Sequence, residues 1–327
     1  MKSLTKDILI SAFAGMVLPG LLLYELADLW NGGPIPSFEQ PVQETWRSVP
    51  LPVLVHRTGD TVVQEDMDDY LVGVLLAEIP WDFEEEALKA QAVVARTYAW
   101  KAYITGGKHE DGSVCTAPSC CQGYRDREAY LQQGGTEAAI QKIEKAVQST
   151  SGQVLCYDGE LIEATYFSCS GGRTEEAAAV WGKDYAYLQA VDSPGEEAAA
   201  AYTDTASFSR TELEDKLDIA LEGTADAWMG PVTYTEGNGV DTIVLGGKYF
   251  TGLEIRQKLA LRSTAFSVSG DGELLTFITR GYGHRVGMSQ YGADAMAVAG
   301  STYEEILSHY YQGTELTTLE EESLFRY

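Results

Sequence analysis

The sequence predicts an α+β fold: mixed helices and antiparallel strands in one curved, two-lobed body behind an N-terminal membrane anchor. Three observations carry this expectation. β-rich runs are punctuated by Thr-Gly-Asp and Asp-Gly turns. Helical stretches with apolar residues at three- and four-residue spacing lie between them. The two kinds do not alternate as strand–helix–strand units, so a doubly wound parallel sheet is not expected. With 327 residues the chain is long enough for one large domain or two lobes.

Taken in order, Lys2 and Lys6 precede an apolar run from Ile8 to Tyr24, interrupted only by Ser11, Gly15, Pro19 and Gly20. That length is the short end of a membrane span. The run ends in Glu25-Leu26-Ala27-Asp28 without a small-x-small cleavage site, so an uncleaved signal anchor is expected. Lysines before the span and acids after it place the body on the extracytoplasmic side. Asn31 to Pro36 reads as a linker, which sets the anchor and linker at 1–33 and the folded domain at 34–327.

Leu51 to Val63 forms a hairpin around Thr58-Gly59-Asp60. Met67, Leu71, Val74 and Leu75 share a helical stripe, and Pro80 stops that helix near Glu78 by biasing Ile79 away from the α region. A second helix over Phe83 to Trp100 opens on three glutamates, which suit its positive end. Glu137 to Gln148 is a short helix, and Gln153 to Ser168 a hairpin around Asp158-Gly159. The acidic, alanine-rich stretch 191–235, with a helix at Thr211 to Ala220, marks a lobe boundary. Strand signals fill Val240 to Thr279, and a helix near Tyr291 to Ala299 closes at Gly300.

The charge narrows the function classes. Against 23 Lys and Arg stand 49 Asp and Glu, a formal net charge of −26. Such a surface repels phosphate backbones, so no nucleic acid partner is expected.

Three segments carry chemistry. The first runs from Val74-Leu-Leu-Ala-Glu78-Ile-Pro80 into Glu86-Ala-Leu-Lys-Ala-Gln-Ala-Val-Val-Ala-Arg96-Thr-Tyr98. The second is Tyr166-Phe-Ser168-Cys169-Ser170-Gly-Gly-Arg173-Thr-Glu175, followed by Val180-Trp181-Gly182. The third is Gly281-Tyr-Gly-His284-Arg-Val-Gly-Met288-Ser-Gln290-Tyr291-Gly-Ala293, with Glu305 to Tyr311 behind it. Together they resemble the stage II sporulation protein D family, which groups peptidoglycan lytic transglycosylases with amidase enhancers. The likeness spans about Asp66 to Gly313.

The resemblance implies cleavage of glycan strands between N-acetylmuramic acid and N-acetylglucosamine, without water, to a 1,6-anhydro end during spore engulfment. It implies a denuded strand, a cell-wall amidase partner and other membrane engulfment proteins. Such chemistry needs one carboxyl that cycles between acid and base, where ordinary glycosidases use two. Glu78 matches the family's glutamate. Its place at a helix C-terminus among Leu76, Ala77, Ile79 and Pro80 raises its pKa on independent grounds. Glu86, in the first turn of the next helix, is the rival, with a pKa expected to be depressed.

Arg96, inside a small-residue helix, must find a carboxylate or reach the cleft, and is expected among the substrate contacts. Ser168, Ser170, His284, Gln290 and Tyr291 complete the expected glycan-binding set, with Ser168 and Ser170 holding substrate or orienting Glu78. A nucleophilic Cys169 or Ser170 with His284 as base is the minor competing chemistry. The family usually has glycine where Arg285 follows the histidine, which leaves the cleft shape and substrate preference open.

His109, Cys115, Cys120 and Cys121 gather soft sulfur and imidazole in one short loop, a set that suits tetrahedral zinc. Some clostridial members of the family carry a zinc in this loop. The alternative is a Cys115–Cys120 or Cys115–Cys121 disulfide, favoured outside the cytoplasm. In either form the loop is expected to be scaffold, remote from the chemistry. A zinc peptidase is disfavoured because no H-E-x-x-H occurs. The other functional reading is a non-catalytic amidase enhancer that only binds glycan.

Overall fold

The computed structural model describes residues 50–55, 61–109 and 113–319. The expected anchor and linker lie outside these residues. No helix among the described residues is long and apolar enough to cross a membrane.

Strand β1 (Pro50–Val55) pairs antiparallel with β2 (Thr61–Asp66), Val53 opposite Val63. The Asp66 carboxylate caps helix α1 (Met67–Glu78) by accepting the N–H groups of Asp68 and Asp69. Instead of a single stripe, α1 buries almost every side from Met67 to Leu76, because neighbouring helices enclose it. Ile79 is extended (φ −126°) ahead of Pro80, and the helix ends there as the proline requires. Helix α2 (Glu85–Thr105) begins two residues later than expected and runs on to a left-handed Gly106.

The two-residue β3 (Val114–Cys115) adds to β1 in parallel. Helices α3 (Arg127–Gln132) and α4 (Glu137–Ser149) follow, each with its own side-chain cap from Asp126 and Thr136. β4 (Gln153–Tyr157) and β5 (Glu160–Leu161) turn on Asp158 and Gly159, both at positive φ. That pairing ends at Leu161, short of the expected hairpin. The chain departs so that β6 (Tyr166–Phe167) pairs in parallel with the later strand over 288–289. A short helix, α5 (Ala177–Trp181), follows.

From β7 (Thr203–Ser209) the chain builds a second set of elements. Helix α6 (Arg210–Leu217) starts on a Ser209/Glu212 capping box. Strands β8 (Met229–Tyr234), β9 (Val240–Leu245) and β10 (Lys248–Thr251) form one antiparallel sheet. Helix α7 (Gly252–Leu259) then breaks a stretch expected to be strand. Its signal was the capping box Thr251-Gly-Leu-Glu254. β11 (Phe266–Gly270) and β12 (Leu274–Arg280) pair with β7 in a second sheet.

β13 (Met288–Ser289) leads into α8 (Gln290–Val298), and α9 (Tyr303–Tyr310) and β14 (Glu315–Thr318) return to the first half, β14 pairing with β4. Mixed helices and largely antiparallel sheets make this an α+β structure. Two hydrophobic cores result. One joins α1, α2, α4, α8 and α9; the other draws its buried residues from Phe208 to Phe277.

Candidate active site

The end of α1, the loop 118–125, β6 and the chain around 282–291 line a cleft of about 1010 Å³. Glu78, the last residue of α1, is the only carboxylate lining it among the described residues. Burial pushes its carboxyl pKa up, and one hydrogen bond, from the Gly123 N–H to Oε1, opposes that. Gln290, at the start of α8, donates from Nε2 to the Glu78 carbonyl (3.1 Å) and to Gln91 Oε1 (3.4 Å). The acid's backbone is therefore tied to the third motif. A Cβ at residue 123 would stand 2.7 Å from Glu78 Oε1, so any larger residue there would displace the carboxyl.

The rival Glu86 is engaged elsewhere. One oxygen accepts from Lys89 Nζ (2.7 Å) and the other from the Tyr303 N–H (2.8 Å), and it does not line the cleft. Tyr166, partly buried in the cleft wall, donates to Gln122 Oε1 (3.1 Å), and Gln122 Nε2 donates to the Tyr70 hydroxyl (3.2 Å). This chain of polar side chains fixes the segment that carries Gly123. Gln122, Gly123 and Tyr166 were not singled out as site residues by sequence reasoning. Tyr166 lay inside a motif; Gly123 carried no signal, since its role depends on a contact 45 residues away.

His284, Gln290, Tyr291 and Ser168 all line the cleft. Burial lowers the His284 pKa to about 4, with nearby Arg256 adding to the effect, so its imidazole is neutral at ordinary pH. Nδ1 accepts the Val286 N–H (3.2 Å), and the ring is held between Phe167 and Trp181 at centroid distances of 5.5 and 5.4 Å. It is a wall of the site. The Ser168 carbonyl accepts the Tyr291 N–H (3.0 Å), while Phe83 packs edge-on against the Tyr291 ring. Trp181 and Tyr282 are half exposed at the rim, aromatic faces of the kind that stack on sugars.

Two expectations are corrected and one open question is answered. Arg96 is not a substrate contact: fully buried, it pairs with Asp68 (3.1 Å) and donates to the carbonyls of Val147 and Thr150. A guanidinium so far from solvent is satisfied by the end of α4, where free carbonyls await donors. Ser170 is likewise fully buried, its hydroxyl donating to Glu196 Oε2 (2.9 Å), and Cys169 donates to the same oxygen (3.1 Å). Neither lines the cleft, which leaves the nucleophile reading without a reactive geometry. Arg285 does not reshape the cleft either. It turns inward and donates to Glu175 Oε1 (3.0 Å) and to the carbonyls of Ser170, Arg173 and Gly237. Its φ of +68° is one that glycine adopts more cheaply, and these four hydrogen bonds offset the strain.

The ligand atoms of His109, Cys115, Cys120 and Cys121 lie within 4.8 Å of one another, and none of the five cysteines forms a disulfide. Cys120 Sγ and Cys121 Sγ are each 3.7 Å from His109 Nε2 and 4.0 Å apart. Such separations suit the edges of a tetrahedron with metal–sulfur bonds of about 2.3 Å, so the residues fit zinc. The cluster is not remote from the chemistry. Pro118, Ser119, Cys120 and Cys121 form one wall of the cleft, and Gly123, two residues on, holds Glu78. Separation along the chain concealed this.

A family model described as "SpoIID: Stage II sporulation protein" matches residues 56–157. Stage II sporulation protein D of Bacillus subtilis is 39% identical over 84% of this chain and 81% of its own. The Bacillus amyloliquefaciens protein of the same name is 37% identical with the same coverage. An amidase enhancer of B. subtilis is 32% identical over 76% of this chain, of which it matches 40% of its own length.

Proposed function

Because the chain belongs to the stage II sporulation protein D family, we propose that it is a peptidoglycan lytic transglycosylase with Glu78 as both acid and base. One observation carries this reading: among the described residues a single, half-buried carboxyl lines the cleft, with its pKa raised. A hydrolase of the usual kind needs two carboxyl groups, the second to activate water or attack the sugar. A lone carboxyl suffices when the substrate supplies its own nucleophile.

Gly123 donates to Oε1, which favours the proton on Oε2. Protonated Glu78 gives that proton to the glycosidic oxygen as the C1–O bond of the muramic residue breaks. The same carboxylate then takes the proton of the 6-hydroxyl as O6 closes onto C1. No water enters, and Glu78 ends in the state in which it began. The raised pKa keeps the acid form populated at higher pH than an ordinary glutamate would. Neutral His284, Trp181 and Tyr291 shape and dry the sugar site around it.

His109, Cys115, Cys120 and Cys121 would hold a zinc ion. Held by four protein ligands, such an ion would cross-link the loop and offset the thiolate charge. The loop residues then present Gly123 to the acid. By the same reading the body is extracytoplasmic, tethered by residues 1–33, and works with a cell-wall amidase on strands it has cleared. The amidase enhancer's likeness favours a second reading, glycan binding that stimulates a partner without cutting.

Mass spectrometry of purified, denuded glycan strands treated with the protein alone separates the two. The transglycosylase leaves 1,6-anhydromuramic ends. An enhancer leaves the strands intact until an amidase or hydrolase is added.

A further inference from the structure

A second depression, about 510 Å³, opens beside the cleft and shares Ser168, Tyr282 and Tyr291 with it. Its other side comes from Ala200, Leu261 and Arg262, next to the second core. Tyr282 stands between the two depressions with its ring half exposed. Its backbone is held on both faces: Tyr282 N–H donates to the Cys169 carbonyl (2.7 Å), and Cys169 N–H to the Tyr282 carbonyl (3.2 Å).

The flanking Gly281 and Gly283 lie at φ +77° and +122°, and Cβ atoms there would strike Cys169 O and Phe167 Cβ at 2.6 and 2.7 Å. The chain thus uses conformations costly to any other residue to stand this tyrosine upright. Arg262 lies over the ring, 5.8 Å from its centroid, steadied by Asp204 (3.4 Å) and the Ala200 carbonyl (3.4 Å). A large aromatic fixed in this way, open to solvent on a strongly acidic surface, is a preorganised platform for a flat amphipathic ligand.

We propose that this depression is a further glycan subsite: the polysaccharide strand leaves the Glu78 cleft across the Tyr282 ring and continues along Ser168, Leu261 and Arg262. The occupant follows from continuity, since a strand seated at Glu78 and longer than the cleft meets Tyr282 at its edge. Sugar faces stack on the ring, while Ser168, Arg262 and Tyr291 offer hydrogen-bonding groups to hydroxyls and acetamides. The second core thereby contributes to substrate binding, and longer strands gain contacts that short ones miss. This inference rests on the glycan-strand reading above, though it does not require cleavage.

The test measures binding by calorimetry in the full chain carrying Glu78→Gln, with chitotetraose and chitooctaose as probes. The longer probe should bind more tightly by about tenfold, the scale of one well-packed contact. Ala200→Trp, which fills the depression at an exposed position, should close that gap without changing the thermal melt. Tyr282→Ala provides the second variant and should also close it. Equal affinity for the two probes, no affinity for either, or a gap that survives both variants would overturn the subsite. Length-dependent binding in a wild-type protein that makes no anhydro ends would defeat the transglycosylase reading and leave the subsite standing.

Discussion

Two glutamates of this protein have opposite arrangements around them. Glu78 accepts one side-chain hydrogen bond, from Gly123, and burial raises its pKa. Glu196, almost fully buried, accepts six: from the Cys169 thiol, the N–H and hydroxyl of Ser170, the Gly171 N–H, and the hydroxyls of Ser193 and Ser289. Burial alone therefore does not make a catalytic acid. A carboxyl buried with one donor has its pKa raised; one ringed by six donors is an anchor that ties the second motif to the third.

Exchanging each carboxyl for its amide is the sharpest way to break this contrast. Glu78→Gln should lower turnover on glycan strands by at least ~10²-fold, the usual cost of losing general acid–base catalysis. Its fold should be unharmed at neutral pH. A carboxyl with a raised folded-state pKa stabilises fully only below its unfolded value, and that contribution is lost as pH rises through the folded one. The amide does not ionise, so the melting temperature of Glu78→Gln at pH 7 should equal or exceed that of the wild type. Glu196→Gln should reverse the pattern. An amide NH₂ facing donors leaves several unsatisfied, at a cost of about 3 kcal/mol or more, visible in denaturant unfolding. A stable, cooperative Glu196→Gln would remove the anchor role.

Gly123→Ala probes the contact that separates the two carboxyls. The added methyl crowds Glu78 Oε1, so turnover should fall about tenfold from displacement of the acid, with little loss in thermal stability. Unchanged kinetics would show that Glu78 does not rely on this N–H. Chelation should act through the same segment. Protein purified without added metal should contain about one zinc per chain, and removing it should lower the melting temperature by a few degrees, because the ion binds the folded loop. Turnover should fall with it, though less than in Glu78→Gln. Oxidised thiols and no zinc would favour the disulfide.

The smallest effect concerns His284. Its lowered pKa means that its contribution is present above the unfolded value near 6.5 and is lost as pH falls through about 4. Its imidazole resonances in NMR should titrate near that lower value. A midpoint above 6 would place a charge in the cleft and reopen the question of a second titrating catalyst.

The same contrast explains what could be read from the chain. Glu78 was legible because helix, proline stop and apolar neighbours are local signals, and Ser168, His284, Gln290 and Tyr291 because they share short motifs with their glycines. Glu196 was not, since it lies in an acidic, alanine-rich stretch that reads as a boundary. Without it the environments of Ser170 and Cys169 could not be placed. The effect of Arg285 stayed open for a related reason: its partner, Glu175, lies 110 residues away in the chain. Helix α7 was missed because its capping box stood within a strand-rich stretch.

Whether one carboxyl does all the chemistry is tested most directly by digesting denuded strands in ¹⁸O-labelled water and reading new ends by mass spectrometry. With Glu78 alone and the 6-hydroxyl as nucleophile, every new muramic end should be one water lighter than a reducing end and carry no label. Reducing ends bearing ¹⁸O, produced by the wild type from the start of the reaction, would mean that water attacks, and would contradict the account.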